Sequence, residues 1–284
     1  MVAGVGRLTN FLHFIRFSHT VFALPFALGS MLVAAGGFPE IRVVTGILAA
    51  MVFARTAAMT FNRLADWELD KRNPRTAGRH RLVSRGTAIV GCIVSALGFV
   101  ASAWWLNPLC FALSPVALAI VFGYSLTKRF THLAQFFLGL ALSVAPVGAW
   151  LAVTGSFAVA PLVLAAAVLL WVAGFDLIYA TQDYEIDLRE GLKSFVVKVG
   201  VSGAFRWALG LHILAFAGLV AFGFAAGLGV IYFASLLAVL AALFYEHFEA
   251  RRGSVDSINR AFFLANAFVG AAFVAGVLID RLVG

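Results

Sequence analysis

The sequence predicts an all-α membrane protein of nine transmembrane helices in a single polytopic domain, 1–284. Three observations carry this reading. Of the residues, 62% are hydrophobic and only 12% are charged, against about 25% charged in a typical soluble domain. A chain so apolar cannot cover its surface with polar groups, so lipid is its solvent, and in lipid only helices and closed barrels satisfy the backbone. The apolar runs are long and lack period-2 alternation, which selects helices.

Gaps between charges set the spans, each needing roughly 20 residues to cross the hydrocarbon. No Asp, Glu, Lys or Arg lies between Arg16 and Glu40, which gives a first helix over about 17–37. The second covers 41–62, with Arg55 inside it. Residues 86–127 are charge-free with a break at Asn107-Pro108, giving helices over 86–106 and 109–127. The run 130–175 breaks near Thr154-Gly155-Ser156 and gives 134–153 and 161–182. The run 207–245 splits around Gly227 and Gly229 into 204–225 and 228–246, and the last helix covers 260–279. No cleavable signal peptide is expected, because the N-terminus lacks the required succession of charged, apolar and small residues. Cys92 and Cys110 stand in apolar surroundings and read as small core residues.

With the N-terminus in the cytoplasm, 18 of the 21 basic residues fall on the cytoplasmic side. Arg42 and Arg281 fall opposite, and Arg55 lies within the second helix. The positive-inside rule therefore fixes this orientation in a cell (inner or plasma) membrane. The net charge of +8 is a topology signal and an attraction for anionic lipid headgroups, not the mark of a nucleic-acid partner. Eleven of the 13 acidic residues share the same side. Topology does not require that, since acids contribute little to orientation.

Seven of those acids form two matching clusters. Asn62, Asp66 and Asp70 are spaced four and four, one stripe on a helix; Asp176, Asp183 and Asp187 are spaced seven and four, again one stripe. Asp66-Trp67-Glu68-Leu69-Asp70 matches Asp183-Tyr184-Glu185-Ile186-Asp187 as Asp, aromatic, Glu, aliphatic, Asp. This pairing suggests an internal repeat of about four helices. Like charges at this spacing destabilise a helix, and carboxylates near a bilayer are costly and functional. Two facing stripes of hard oxygen ligands, without His or Cys, suit magnesium, which shares its shell with phosphates. Basic residues follow each stripe: Lys71 to Arg81, then Lys128-Arg129, then Lys193 and Lys198. As a set they suit a diphosphate anion. Arg55 shares the face of Asn62 and is a candidate anchor for a substrate anion, with a snorkelling or ion-pair role as the alternative. His19, at the start of the first helix, and Tyr124 and Tyr179, near the cytoplasmic end, are further candidates for the acceptor or diphosphate.

At these residues the sequence resembles the UbiA superfamily of intramembrane prenyltransferases. Asn62-x-x-x-Asp66-x-x-x-Asp70 is similar to its first aspartate motif and Asp183-x-x-x-Asp187 to its second. Tyr124-x-x-x-Lys128-Arg129 resembles its stretch after the fourth helix, and Asn73-Pro74-Arg75-Thr76-x-x-Arg79 its loop after the second; His80-Arg81-Leu82 departs from the pattern. The opening Arg16 to Leu28 resembles the branch with 4-hydroxybenzoate and 1,4-dihydroxy-6-naphthoate acceptors. The resemblance implies a bundle with a cytoplasm-facing site and a lateral opening. It implies that Asn62, Asp66, Asp70, Asp183 and Asp187 hold Mg2+ for a polyprenyl diphosphate, with Asp176 among the catalytic acids. Arg75, Arg79, Lys128, Arg129, Tyr124 and Lys193 would face the diphosphate. Arg55, His19 and Tyr179 would face an aromatic acceptor in ubiquinone or menaquinone biosynthesis. The rival class is an ion-coupled transporter, which predicts acids near the bilayer midplane and discontinuous helices. Other acceptors within the superfamily, and the oligomeric state, are left open by the sequence.

Overall fold

A computed structural model describes residues 2–15, 22–72, 76, 78 and 81–283. The described residues form helices and short connections, with no strand among them. In chain order these are α1 (Val2–Phe14), α2 (Leu24–Ala35), α3 (Ile41–Ala65), α4 (Trp67–Arg72), α5 (Arg85–Leu106) and α6 (Pro108–Gly123). A 3₁₀ turn (Tyr124–Arg129) leads to α7 (Ala134–Thr154) and α8 (Val159–Ala180). A second 3₁₀ turn (Thr181–Asp183) precedes α9 (Tyr184–Arg189), α10 (Phe195–Ala225), α11 (Val230–Ala250) and α12 (Val255–Arg260). A π turn (Ala261–Ala265) then opens α13 (Asn266–Val283).

Local chemistry explains the boundaries. Ser84 Oγ accepts the Thr87 amide at 3.1 Å and starts α5. Asn107 Oδ1 accepts the Cys110 amide at 2.9 Å, and Pro108 follows at the first helical position of α6. Gly155 closes α7 with φ 64°, a left-handed turn that glycine adopts without steric cost.

Among the described residues, eight helical stretches are long and apolar enough to cross a membrane, and α2, with 12 residues, is a shorter apolar helix. Part of the expected first helix, 17–21, lies outside the described residues. Three other expectations change. α10 begins at Phe195 rather than near 204 and bends at Gly200 (φ 73°). The expected helix over 204–225 left Lys198 in the preceding loop, yet it sits on a helical turn of α10. The N-terminal helix α1 was not foreseen, because no charge gap marks it.

The third change concerns the acidic stripes. Neither lies on one continuous helix: α3 stops at Ala65 with Asp66 as its cap, and α8 stops at Ala180. The physical reason is electrostatic. Acids in the last turn of a helix oppose its dipole, but the breaks put Glu68 and Asp70 in the first turn of α4, and Glu185 and Asp187 in the first turn of α9. There the dipole favours them. The four-residue register survives across the first break, since Asp66 N donates to Asn62 O at 3.0 Å and Asp70 N to Asp66 O at 2.7 Å.

α8 is the central column, with Leu164, Val168, Val172, Leu177 and Ile178 fully buried, packed between α7 and α10. Both seams close through small residues. A Cβ on Gly139 of α7 would collide with the Leu169 carbonyl, and one on Gly218 of α10 would meet the Ala167 Cβ at 2.9 Å. Such contacts let backbones approach closely in lipid. α5, by contrast, exposes Val90, Ile93, Val94 and Leu97 as a lipid-facing stripe. At the end of the bundle away from the stripes, Asp280 of α13 accepts the Gly229 amide at 2.8 Å and the Tyr232 amide at 3.2 Å, capping α11 from another helix. Arg281 donates to the Ala226 carbonyl at 2.6 Å.

Candidate active site

The two helix breaks face one cavity of about 360 Å³. α3 and α4 contribute Arg55, Asn62, Arg63, Asp66, Asp70 and Arg72 to its wall. The segment from α8 to α9 contributes Asp176, Tyr179, Asp183 and Asp187. Tyr124 and Lys128 line it from the turn after α6, and Lys193 and Ser194 from the approach to α10. The acidic stripes, more than a hundred residues apart in sequence, are thus on one wall-to-wall site.

Its electrostatics alternate in sign. Lys128 Nζ donates to Asp66 Oδ2 at 2.7 Å. Asp66 is 4% exposed, and its other oxygen, Oδ1, is buried without a hydrogen-bond partner. Arg63 lies 3.7 Å from Asp70, and its Nε donates to the Phe14 carbonyl at 3.3 Å, tying α1 to the cavity rim. Thr76 Oγ1 donates to the Asp70 carbonyl at 3.0 Å. Arg72 reaches Glu190 across the mouth at 3.8 Å. The Gln135 side-chain oxygen is buried and unpaired at the same cavity.

The fit to a magnesium ion follows from these donors. All are hard oxygens, as magnesium requires. The orphaned Asp66 Oδ1 is an acceptor that a cation would satisfy. Among the described residues no three Asp, Glu, His or Cys side chains gather tightly enough to enclose an ion. The carboxylates instead stand apart around the wall, which suits an ion whose shell is completed by water and phosphate oxygens.

Most sequence candidates meet here. Arg129 does not: its guanidinium donates to the Ala65 carbonyl at the end of α3 and is absent from the cavity wall. A cation at a helix C-terminus answers the dipole there. His19, Arg75 and Arg79 lie outside the described residues. Sequence reasoning missed Arg63, Gln135 and the aromatic residues Phe22, Phe175 and Phe262, all on the wall. Arg63 adjoins Asn62 and was readable only as loop charge. The phenylalanines carry no signal among 28 of their kind.

Comparison with known proteins agrees with this geometry. Residues 23–268 match the family described as the UbiA prenyltransferase family. The chain belongs to the UbiA prenyltransferase family. A 4-hydroxybenzoate octaprenyltransferase of Vibrio atlanticus is 32% identical over 255 residues, covering 89% of each chain. One of Alkalilimnicola ehrlichii is 33% identical over 262 residues, covering 89% of this chain and 86% of the relative. The apo structure of a UbiA homolog from Aeropyrum pernix K1 superposes with a TM-score of 0.83 at 33% identity, covering 93% and 98% of the two chains. A UbiA homolog from Archaeoglobus fulgidus, solved with GPP and Mg2+, shares the fold at 21% identity and a TM-score of 0.72. This UbiA chain is accordingly a multi-pass membrane enzyme, a prenyltransferase.

Proposed function

We propose that this UbiA protein transfers a polyprenyl group from its diphosphate to an aromatic carboxylate, 4-hydroxybenzoate or 1,4-dihydroxy-6-naphthoate, in quinone biosynthesis. The observation that carries the reading is the convergence of both aspartate stripes, Lys128 and Arg55 on one cavity. The names of the 32–33% identical relatives favour 4-hydroxybenzoate. The GPP and Mg2+ of the Archaeoglobus fulgidus homolog are the ligand pair that this donor set suits.

Asn62, Asp66, Asp70, Asp183 and Asp187 would hold magnesium, which when bound neutralises charge on the diphosphate. Lys128, Arg63, Arg72 and Lys193 present positive charge to the same anion from three segments. The allylic C–O bond breaks, and its electron pair leaves with the diphosphate. Arg55, two helical turns deeper in α3 than Asn62, pairs with the acceptor carboxylate and turns an electron-rich ring carbon toward the allylic carbon. A C–C bond forms there, and the ring proton passes to a carboxylate. Asp176, two turns below Asp183 along the α8 segment, stands at the right depth to take it. The acids of both stripes lie at one end of the bundle, which disfavours an ion path across the membrane.

The basic end is assigned to the cytoplasm, with the N-terminus there and the enzyme in the inner or plasma membrane, from the split of basic residues. The deciding experiment combines purified protein, a polyprenyl diphosphate, magnesium and a panel of acceptors. Turnover with 4-hydroxybenzoate or 1,4-dihydroxy-6-naphthoate is expected. Turnover confined to phenols lacking a carboxylate would overturn the assignment.

A further inference from the structure

Outside the cavity, buried polar side chains gather where α8, α10, α11 and α13 meet. His212 is 2% exposed, and Glu246 and Asn266 are fully buried. His212 Nε2 lies 3.2 Å from the Trp171 carbonyl. A carbonyl only accepts, so Nε2 carries the hydrogen. In neutral His212 the other ring nitrogen, Nδ1, then accepts from His247 Nε2 at 2.9 Å. Asn266 Nδ2 donates to the Phe262 carbonyl at 2.7 Å and to Glu246 Oε1 at 3.3 Å. Glu246 Oε2 stands 3.8 Å from His212 Nδ1, too far for a hydrogen bond, and is buried without a hydrogen-bond partner. Polar groups at this depth are costly and functional by default, yet none of the four lines the cavity.

What they hold does line it. The Phe262 carbonyl belongs to the π turn, where the regular helical ladder is interrupted, and the Phe262 ring is on the cavity wall. Trp171 packs edge-on against Phe175 at 5.0 Å, and Phe175 is on the wall beside Asp176. Phe22 meets Phe175 at 5.8 Å and Phe262 at 5.1 Å, completing an aromatic surface. A Cβ on Gly174 would collide with the His212 ring. The imidazole therefore rests on the α8 backbone one residue before Phe175, a close approach that glycine alone permits.

We propose that His212, His247, Glu246 and Asn266 are positioning residues that fix the aromatic wall of Phe22, Phe175 and Phe262, and that this wall bears the isoprenoid portion of the prenyl diphosphate. Three phenylalanine rings offer no donor to a carboxylate and present a flat apolar face to a hydrocarbon. The acceptor's charge is answered elsewhere, by Arg55. The inference rests on the reading of the cavity as a prenyl diphosphate site.

The test uses the full-length protein in lipid nanodiscs, with Asn266→Leu, Glu246→Leu, Glu246→Gln and Phe262→Leu. Both KM values and kcat are measured with each substrate varied in turn. Asn266→Leu and Glu246→Leu are expected to raise KM for the prenyl diphosphate about tenfold, the scale of one buried hydrogen bond left unmade. KM for the acceptor stays within about twofold, because Arg55 is untouched. In Glu246→Gln the amide oxygen still accepts from Asn266, and KM stays within about threefold of wild type. A merely structural role would lower the folded fraction and apparent kcat and leave both KM values alone; that result overturns the proposal. So does Glu246→Gln behaving like Glu246→Leu. If the leucine variants at 246 and 266 do not fold, Phe262→Leu decides: an unchanged KM for the prenyl diphosphate overturns the wall's role. A wild-type protein that turns over no prenyl diphosphate is the separate result that removes the proposed function, and this inference with it.

Discussion

Lys128 Nζ stands 2.7 Å from Asp66 Oδ2, across a gap of 62 residues in sequence, and leaves Asp66 Oδ1 buried without a hydrogen-bond partner. The aspartate is therefore half neutralised by the protein and half available. Asp66→Asn keeps the shape and removes the charge. It is expected to lower kcat by at least ~100-fold, the loss seen when one preorganised electrostatic group is removed. Steady-state rates on purified, monodisperse protein check this, and near-normal turnover would take Asp66 out of the site.

Lys128→Met is expected to act differently. It frees Asp66 Oδ2 and removes one cation from the anion's surroundings. KM for the prenyl diphosphate should rise by about tenfold, roughly one charge-assisted contact, with the magnesium requirement retained. An unchanged KM would leave Lys128 with a purely structural pairing to Asp66.

Arg55 yields a prediction about the acceptor. Arg55→Met should raise KM for 4-hydroxybenzoate by about 10- to 100-fold, on the scale of a lost charged hydrogen bond. The methyl ester of the same acceptor removes the charge from the other side. Wild type and variant should then use the ester equally poorly. A variant that still prefers the acid over the ester would assign carboxylate recognition to another residue.

Asp280 predicts a stability change without a functional one. Its carboxylate caps the start of α11 through Gly229 and Tyr232, far along the bundle from the aspartate stripes. Asp280→Ala should cost about 0.5–2 kcal/mol, the range of a lost helix cap. The readout is a lower thermal midpoint with kcat and both KM values kept. A fall in kcat at unchanged midpoint would contradict this assignment.

Topology is checked by reporters. Fusions after Leu282 are expected to report the side opposite the cytoplasm, and insertions near Arg252 the cytoplasm. The basic residues Arg251, Arg252 and Arg260 flank the latter site. A cytoplasmic signal at the C-terminus would reverse the orientation or remove one span.

The helices and the two aspartate stripes were legible because their signals are local. Charge gaps mark lipid-spanning runs, and a four-residue spacing marks one helix face. What escaped depends on contacts across the chain. The helix breaks at Asp66 and at Thr181 follow from where the dipole tolerates carboxylates, which spacing alone does not reveal. The start of α10 was missed because Lys198 sits on a helical turn rather than in a loop. Arg129 was grouped with Lys128 by adjacency, yet the 3₁₀ turn sends one to the cavity and the other to the Ala65 carbonyl. His212 and Asn266 are lone polar residues in apolar runs, Glu246 opens the charged end of another, and only the fold brings them together.

The glycine seams at Gly139 and Gly218 have a mechanical consequence. They bring α7 and α10 close against α8 on two sides, so the second aspartate stripe rides on a helix clasped from both flanks. The first stripe rides on α3, which packs chiefly on α5, a helix with a broad face toward lipid. If the enzyme must loosen its grip to let a long hydrocarbon product slip sideways, the α3 half is the jaw that swings and the α8 half is the anvil. Spin labels on α8 and α10 should then keep one separation with and without substrate, while labels on α3 and α8 should not; a fixed α3–α8 separation would contradict a swinging jaw.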